Sequence, residues 1–202
     1  MTDKKQEMKE LIVKFGQELF DRHLTDSAGG NLSVRIGDEV LMTPRYAGNL
    51  FHWKLSTDQI LTLDLEGNVL LGDGQISRES KVHLKLLNEF YPEGTAVVHA
   101  HARHVLVFCA FNKPMEPVLH ATEKFGVIPQ IPDETAHSQE LADAVADGIR
   151  PQIERLSKGA VAVMAPKHGL FLIAKDLYIG FDSAERIDTN AYMLLQQKNL
   201  PA

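Results

Sequence analysis

Cysteine is scarce in this sequence: Cys109 is the only one among 202 residues. A single cysteine forms no internal disulfide, and a metal site built on a pair of thiolates is excluded. Long apolar runs are also missing, because no stretch reaches the roughly 18 residues that a transmembrane helix needs. Residues 1–7 lead into an amphipathic pattern, not into the apolar core of a secretory signal. We therefore expect a cytoplasmic protein without a membrane partner.

An excess of positive charge is absent as well. The 27 acidic residues outnumber the 21 Lys and Arg and give a net charge of −6, which argues against nucleic acid as a partner. The hydrophobic fraction of 44% is ordinary, and together with the modest net charge it excludes a disordered chain. The length suits one ordinary domain, so we expect residues 1–202 to form a single domain. Histidine, in contrast, is plentiful, with nine copies.

Hydrophobic periodicity predicts alternating helices and strands. Helices are expected within 8–19, 77–90, 102–111, 138–156 and 182–198, with Ser77 as an N-cap and a break near Gly148 and Pro151. Strands are expected at 31–36, 39–43, 60–65, 69–71, 95–101, 160–165 and 170–174. Strands that are close in sequence favour antiparallel pairing. The predicted fold is α/β: a three-layer α/β/α arrangement with a central mixed, mainly antiparallel sheet flanked by helices.

Two histidines lie two residues apart in the predicted strand 95–101. Side chains alternate along a strand, so His99 and His101 point the same way, about 6–7 Å apart at the backbone. Two imidazoles at that spacing can converge on one metal ion. The same pattern is also typical of two ordinary, partly buried histidines, so the pair alone leaves both interpretations open.

A third histidine lies at a predicted tight reversal between two apolar strands. His168 is followed by Gly169, which permits the sharp backbone turn. Three histidines without a thiolate are typical of a catalytic zinc site, which keeps one position open. A turn histidine without a role is the alternative. Cys109 follows an apolar run and is predicted to be a small core residue.

Five short motifs then occur in a recognisable order. They are Gly30-Asn31-Leu32-Ser33, Thr43-Pro44, Ser77-Arg78-Glu79, Val97-Val98-His99-Ala100-His101 and Lys167-His168-Gly169. In this order and spacing the chain resembles the class II aldolases of the fuculose-phosphate aldolase type. That family also contains ribulose-phosphate 4-epimerases and adducin head domains. The resemblance runs from the first predicted helix to the last.

The resemblance implies a metal-dependent carbon–carbon lyase. It implies His99, His101 and His168 as ligands of one divalent metal per subunit, zinc in particular, and Glu79 as the acid/base residue. The implied reaction is reversible retro-aldol cleavage of a short-chain ketose phosphate, in which a Lewis-acidic metal stabilises the enediolate. Glu79 begins a predicted helix, whose dipole favours the carboxylate, whereas burial would oppose it. A homotetramer with sites at subunit interfaces is implied as well.

Substrate-binding residues follow from the same resemblance. The family's phosphate pocket matches Gly30, Asn31, Thr43 and Ser77, although ordinary turn and cap chemistry would also explain each of these residues. Two positions depart from the family pattern: Arg45 replaces a small residue, and Arg78 replaces a second serine. Each departure adds a guanidinium group that can bind phosphate or carboxylate, or that can be a surface charge. The expected substrate is therefore a small sugar phosphate or sugar acid.

Other reactions of the same fold remain as alternatives. A decarboxylase acting on a keto sugar acid, or on its phosphate, is the closest rival, because loss of carbon dioxide leaves the same kind of enediolate. A ribulose-phosphate 4-epimerase is less favoured, because that branch tends to carry Asp at the position of Glu79. A methylthioribulose-phosphate dehydratase is also less favoured. An adducin-like binding module would be expected to lack metal ligands, which this chain retains.

Overall fold

A seven-stranded sheet organises the chain in the computed structural model, which describes residues 2–199. The strands are β1 (Asn31–Ile36), β2 (Glu39–Met42), β3 (Leu61–Leu63), β4 (Val69–Leu71), β5 (Ala96–Ala100), β6 (Ala160–Ala165) and β7 (Gly169–Ala174). Their order in the sheet is β4-β3-β2-β1-β5-β7-β6. Strand β5 thus lies inside the sheet, between β1 and β7, and β1 is the middle strand.

Within residues 2–199, five α-helices cover the sheet. They are α1 (Thr2–Asp21), α2 (Ser80–Glu89), α3 (Arg103–Ala110), α4 (Gln139–Ile149) and α5 (Leu177–Gln196). Short 3₁₀ segments span Thr57–Gln59, His120–Phe125, Arg150–Lys158 and Gln197–Asn199. The predicted break near Gly148 and Pro151 is confirmed, because α4 ends at Ile149 and the chain continues as a 3₁₀ segment. None of the described helices is both long and apolar enough to cross a membrane.

Alternation along the central strands produces two hydrophobic cores, one on each face of the sheet. In β5, Val98 points into the core that also contains residues of α1, α3 and α5. Its neighbour Val97 points into the other core, which contains residues of α2 and α4. Apolar residues in β5, β6 and β7 occupy both faces, so each face needs its own layer of helices. The expected three-layer α/β/α arrangement is confirmed.

Three details differ from the sequence-based expectation. All neighbouring strands among the described residues pair antiparallel, so the sheet is antiparallel instead of mixed. Helix α5 begins at Leu177, five residues earlier than expected, because the Asp176 side chain accepts a hydrogen bond from the Ile179 amide. The N-cap of α2 is Glu79 and not Ser77, because 77–80 forms a turn before the helix begins.

Candidate metal centre and substrate cavity

A cavity of about 620 Å³ opens where β5 ends, where β6 turns into β7 and where α2 begins. The structure brings all but one of the predicted site residues to its wall: Gly30, Asn31, Arg45, Ser77, Arg78, Glu79, His99, His101 and His168. Strand pairing explains this convergence. Ala100 pairs with Leu170, so the end of β5 lies beside the β6–β7 turn that carries His168.

The three predicted ligand histidines form one cluster. Each can offer a ring nitrogen such that these nitrogens all lie within 4.8 Å of one another. The ring centroid of His99 lies 5.0 Å from that of His101 and 4.9 Å from that of His168. Gly169 allows the close approach, because a Cβ atom there would lie 2.7 Å from the carbonyl oxygen of Ala100.

Two of these rings are oriented by a partner on their far side. Nδ1 of His99 lies 3.0 Å from the carbonyl oxygen of Leu170, which can only accept, so Nδ1–H donates and Nε2 keeps its lone pair. Nδ1 of His101 lies 3.4 Å from the carboxylate of Asp26. Nε2 of His101 is buried without a hydrogen-bond partner among residues 2–199. Partners of this kind typically orient metal-binding histidines.

Burial keeps two of the imidazoles neutral. It lowers the pKa of His99 well below its ordinary value, and the neighbouring His101 and His168 lower it further. Burial also lowers the pKa of His101, although the nearby Asp26 carboxylate opposes this shift. A neutral imidazole has the lone pair that a metal ion needs, so both rings are ready for coordination near pH 7.

Glu79 lies at the N-terminus of α2 with its side chain only 5% exposed. Its Oε1 atom is 3.1 Å from Nε2 of His168 and 2.6 Å from Nδ1 of His137. Burial raises the pKa of Glu79, but the imidazoles of His168 and His137 outweigh it, and the net pKa is lowered. The group is therefore a carboxylate near neutral pH. Neither contact is aligned as a hydrogen bond, and both carboxylate oxygens lack such a partner within the described chain.

These residues fit a divalent metal ion. Buried polar atoms normally have partners, yet Nε2 of His101 and both carboxylate oxygens of Glu79 have none in the part of the chain that the structure describes. The donors are nitrogen and oxygen atoms, and the only cysteine, Cys109, lies in the core with its pKa raised to about 12 by burial. A set of three histidines leaves further coordination positions for a substrate or water.

The wall of the cavity also carries groups suited to an anion. Gly30 has a φ of +92°, and a Cβ atom there would lie 2.1 Å from Oγ1 of Thr25, so only glycine fits. Arg45 stacks on Tyr46 and donates from Nη1 to Oε1 of Gln75 at 3.4 Å, whereas its Nε is buried and unpartnered within 2–199. Arg78 is exposed on the cavity rim, and no ion pair or hydrogen bond of its side chain occurs among the described residues. The guanidinium of Arg78 and the Nε donor of Arg45 therefore remain available for a ligand.

Thr43 is the exception, and its predicted place at the substrate site is corrected. The residue is fully buried and does not line the cavity. Its hydroxyl accepts a hydrogen bond from the Leu32 amide at 3.1 Å, so it joins the end of β2 to β1. The hydroxyl stabilises the strand that presents Asn31 and does not face a ligand. Ser77 lines the cavity, but its hydroxyl accepts from the Glu79 amide.

Sequence reasoning missed several residues of the site. His137, Lys167 and Tyr46 line the cavity, and each has a positive φ, of 68°, 58° and 69°. Lys167 belongs to a quoted motif, but the sequence assigned no role to it, and no local motif includes His137 or Tyr46. Asp26 was missed as well. The pattern Asp26 to Gly29 did offer a signal, since the Asp26 side chain accepts from the amides of Ala28 and Gly29 as in an Asx turn.

Comparisons with known proteins agree with this geometry. The sequence model of the class II aldolase and adducin N-terminal domain matches residues 10–195. A 3-oxo-tetronate 4-phosphate decarboxylase of Haemophilus influenzae is 31% identical, over 95% of this chain and 87% of the relative. An L-fuculose phosphate aldolase of Methanocaldococcus jannaschii is 26% identical, over 96% of both chains. A solved L-fuculose 1-phosphate aldolase matches with a TM-score of 0.80 and 25% identity, over 96% of this chain and 90% of that chain.

Proposed function

The chain belongs to the class II aldolase and adducin N-terminal domain family, and from this premise we propose that it is a metal-dependent lyase acting on a small ketose phosphate or keto sugar acid. One observation carries the proposal. Three histidines and one buried carboxylate converge in a cavity that is also lined by the side chains of Arg45 and Arg78.

We assign His99, His101 and His168 as the ligands of one divalent ion. Their all-nitrogen donor set suits zinc, although imidazole also binds other divalent transition metals. When bound, such an ion acts as a Lewis acid for negative charge that develops on substrate oxygens. The protein's part is orientation: the Leu170 carbonyl fixes the ring of His99, and the Asp26 carboxylate fixes the ring of His101.

The two candidate reactions share a three-carbon intermediate. When the C4 hydroxyl of a ketose 1-phosphate loses its proton to water and the C3–C4 bond breaks, an aldehyde is released and the enediolate of dihydroxyacetone phosphate remains. Loss of carbon dioxide from a 3-oxo-tetronate 4-phosphate leaves the same enediolate. In both cases the electron pair of the broken bond moves to the ketone oxygen, and the carbon must then gain a proton.

We propose that Glu79 transfers this proton. In the synthetic direction its carboxylate, favoured by the lowered pKa, removes the proton from the carbon next to the ketone. In the cleavage direction the carboxylate takes up a proton from water and delivers it to the enediolate. Gly30, Asn31 and Ser77 would surround the phosphate, with Arg45 and Arg78 at the rim of the cavity.

Retro-aldol cleavage of a ketose 1-phosphate is the first candidate, and relatives named L-fuculose phosphate aldolase support it. Decarboxylation is the second candidate, and two observations favour it. The relative of 31% identity is a decarboxylase of a phosphorylated keto acid. The guanidinium groups of Arg45 and Arg78 also provide two cationic partners, as a substrate with both a phosphate and a carboxylate would need.

The exchange of Glu79 for glutamine tests the assignment of the proton-transfer group. Glu79→Gln keeps the size of the side chain but removes its base, so turnover should fall by about 10²–10⁴-fold while the bound metal is retained. Product assays and elemental analysis measure the two quantities. Glu123→Gln is the matched control, because Glu123 also contacts a histidine but lies on the surface. Wild-type activity of Glu79→Gln would remove Glu79 from the mechanism.

A substrate panel separates the two reactions. Metal-loaded and chelated protein would each be assayed against ketose 1-phosphates and keto sugar acids with and without phosphate, with aldehyde and carbon dioxide detected separately. Aldehyde release identifies an aldolase, and carbon dioxide release identifies a decarboxylase. Activity that survives complete removal of the metal would contradict the proposed chemistry.

We further propose a cytoplasmic homotetramer with sites at the subunit interfaces. Apolar side chains beside the cavity mouth support this, because Tyr46, Leu50 and Phe51 are 40%, 65% and 37% exposed. The free, buried thiol of Cys109 needs no oxidising compartment. Light scattering of the purified protein measures the oligomeric mass.

A further inference from the structure

His137 makes the shortest recorded polar contact of the Glu79 side chain. Its Nδ1 atom lies 2.6 Å from Oε1 of Glu79, and its side chain is 33% exposed on the cavity wall. The second neighbour of the same oxygen is Nε2 of His168, at 3.1 Å. If His168 serves as a metal ligand, that nitrogen is engaged, and His137 remains the nearest polar partner of Oε1 within the described chain.

The loop that carries His137 is fixed at both ends. Before the loop, the amide of Ile131 donates to the carbonyl oxygen of Met164. After it, Ser138 caps α4, because its hydroxyl accepts from the amide of Leu141 at 3.0 Å. Between these anchors His137 has a φ of +68°, in the left-handed region that few side chains adopt. Unfavourable backbone conformations of this kind persist where the surrounding structure imposes them, often at functional sites.

We propose that His137 is a positioning residue for Glu79: its ring confines Oε1 through the 2.6 Å contact, so that Oε2 is the oxygen that exchanges the proton with the substrate carbon. This inference rests on the proposed function. It predicts that His137 affects proton transfer at the carbon, whichever group leaves. Because the aldolase and the decarboxylase pass through the same enediolate, the prediction holds for both.

Hydrogen exchange isolates that step from bond cleavage. Dihydroxyacetone phosphate, the three-carbon product of both reactions, is incubated with the metal-loaded protein in deuterated water. Nuclear magnetic resonance then follows replacement of a proton on the carbon next to the ketone. The exchange needs removal and return of a proton, but it needs neither the aldehyde nor carbon dioxide.

The variants are His137→Ala, His137→Asn and Glu79→Gln, with His120→Ala as the matched control. His120 contacts Glu123 through Nδ1 at 2.9 Å, but it lies fully exposed on the surface. In His137→Ala the maximal exchange rate should fall by about a hundredfold, because a small displacement of a reacting group is enough for such a loss. The side-chain amide of His137→Asn can replace Nδ1, so the maximal exchange rate of this variant should be about ten times that of His137→Ala. In both His137 variants KM and the amount of bound metal should stay at wild-type values. The exchange rate of His120→Ala should also equal that of the wild type.

Several results would overturn the inference. A wild-type exchange rate in His137→Ala would do so, and so would a raised KM with an unchanged maximal rate, which would indicate a substrate-binding role. Loss of bound metal in both His137 variants would indicate that the residue acts through the metal ligands. If His137→Ala fails to fold, the exchange rate of His137→Asn alone tests the inference. A folded His137→Asn protein whose rate is about a hundredfold below wild type contradicts the expected rescue. Failure of the proposed function gives a different result, because the wild-type protein would then neither exchange the proton of dihydroxyacetone phosphate nor cleave any substrate of the panel.

Discussion

Asp26 links the predicted metal ligand His101 to the loop that precedes β1. One carboxylate oxygen, Oδ1, accepts from the amides of Ala28 and Gly29 at 2.7 and 2.9 Å. The other, Oδ2, lies 3.4 Å from Nδ1 of His101. Gly29 packs directly against the ring, since a Cβ atom there would lie 2.0 Å from its Cε1 atom. The loop thereby fixes both the position and the tautomer of His101.

Asp26→Asn should weaken metal binding without unfolding the protein. The amide oxygen can still accept from the two backbone amides, but the NH₂ group cannot accept from Nδ1–H of His101. Loss of such an orienting partner typically costs about 10–100-fold in metal affinity. Competition with a fluorescent chelator measures the dissociation constant. Asp38→Asn, in the exposed β1–β2 turn, is the control, and an affinity within about twofold of wild type in Asp26→Asn would contradict the assigned role.

At the scale of single residues, the sequence predicts the metal-binding histidines better than the residues that orient the groups of the site. His99 and His101 are two residues apart on the predicted strand 95–101, which predicts their common direction, although β5 ends at Ala100 and His101 follows it directly. Asp26 and His137 act on partners 75 and 58 residues away, and only the folded chain brings them together. Thr43 carries a small hydroxyl that suits either a phosphate or a backbone amide. Because Thr43 is buried, its hydroxyl accepts from the Leu32 amide, and the amino-acid composition alone does not predict this contact.

At the scale of elements, helix α2 is tied to strand β1 by a buried polar contact beneath the cavity. Oγ of Ser33 lies 2.6 Å from Nδ1 of His83, and both residues are fully buried. Burial lowers the pKa of His83 to about 4, although the nearby Glu79 carboxylate opposes the shift. The neutral ring therefore belongs to the folded state, and protonation of His83 opposes the packing of α2 on the sheet.

This shift predicts a loss of stability in mild acid. Between pH 6.5 and about 4 the unfolded chain binds a proton at His83 that the folded chain does not, so the free energy of unfolding falls as the pH falls. The difference between the two pKa values corresponds to about 3 kcal/mol. Urea unfolding at pH 7 and pH 4.5 measures it.

His83→Gln removes the titrating group and should show a smaller loss over that range. The exposed His120 provides the control, and His120→Gln should keep the wild-type pH dependence. Equal acid sensitivity of wild type and His83→Gln would show that His83 is not the group responsible.

The elements themselves follow closely from periodicity, with one instructive failure. The sequence predicts that the last helix starts at Asp182, whereas α5 begins at Leu177 and contains Gly180, a residue type that normally disfavours helix interiors. In the fold Gly180 is needed because a Cβ atom there would lie 3.0 Å from a methyl group of Val98 on β5. Close packing of helix on sheet thus overrides local propensity, and no single-sequence pattern reveals it.

At the scale of the whole molecule, the predicted metal site joins two parts of the sheet. His99 and His101 lie at the end of β5, whereas His168 lies in the β6–β7 turn, and β7 pairs with both β5 and β6. The order of the strands is the feature that the sequence could not provide, because β5 inserts between β1 and β7. A single domain over 1–202 stays a prediction.

A ligand that binds only the folded arrangement stabilises the whole molecule, so chelation should lower the melting temperature. At a free metal concentration a hundred times the dissociation constant, the stabilisation is about 2.7 kcal/mol. For a chain of this size it corresponds to about 5–10 °C, which a calorimetric scan with and without chelator resolves. His168→Asn removes one of the three donors, so chelation should shift its melting temperature little. If chelation empties the wild-type site without a change in melting temperature, the three histidines do not form a site that is specific to the folded chain.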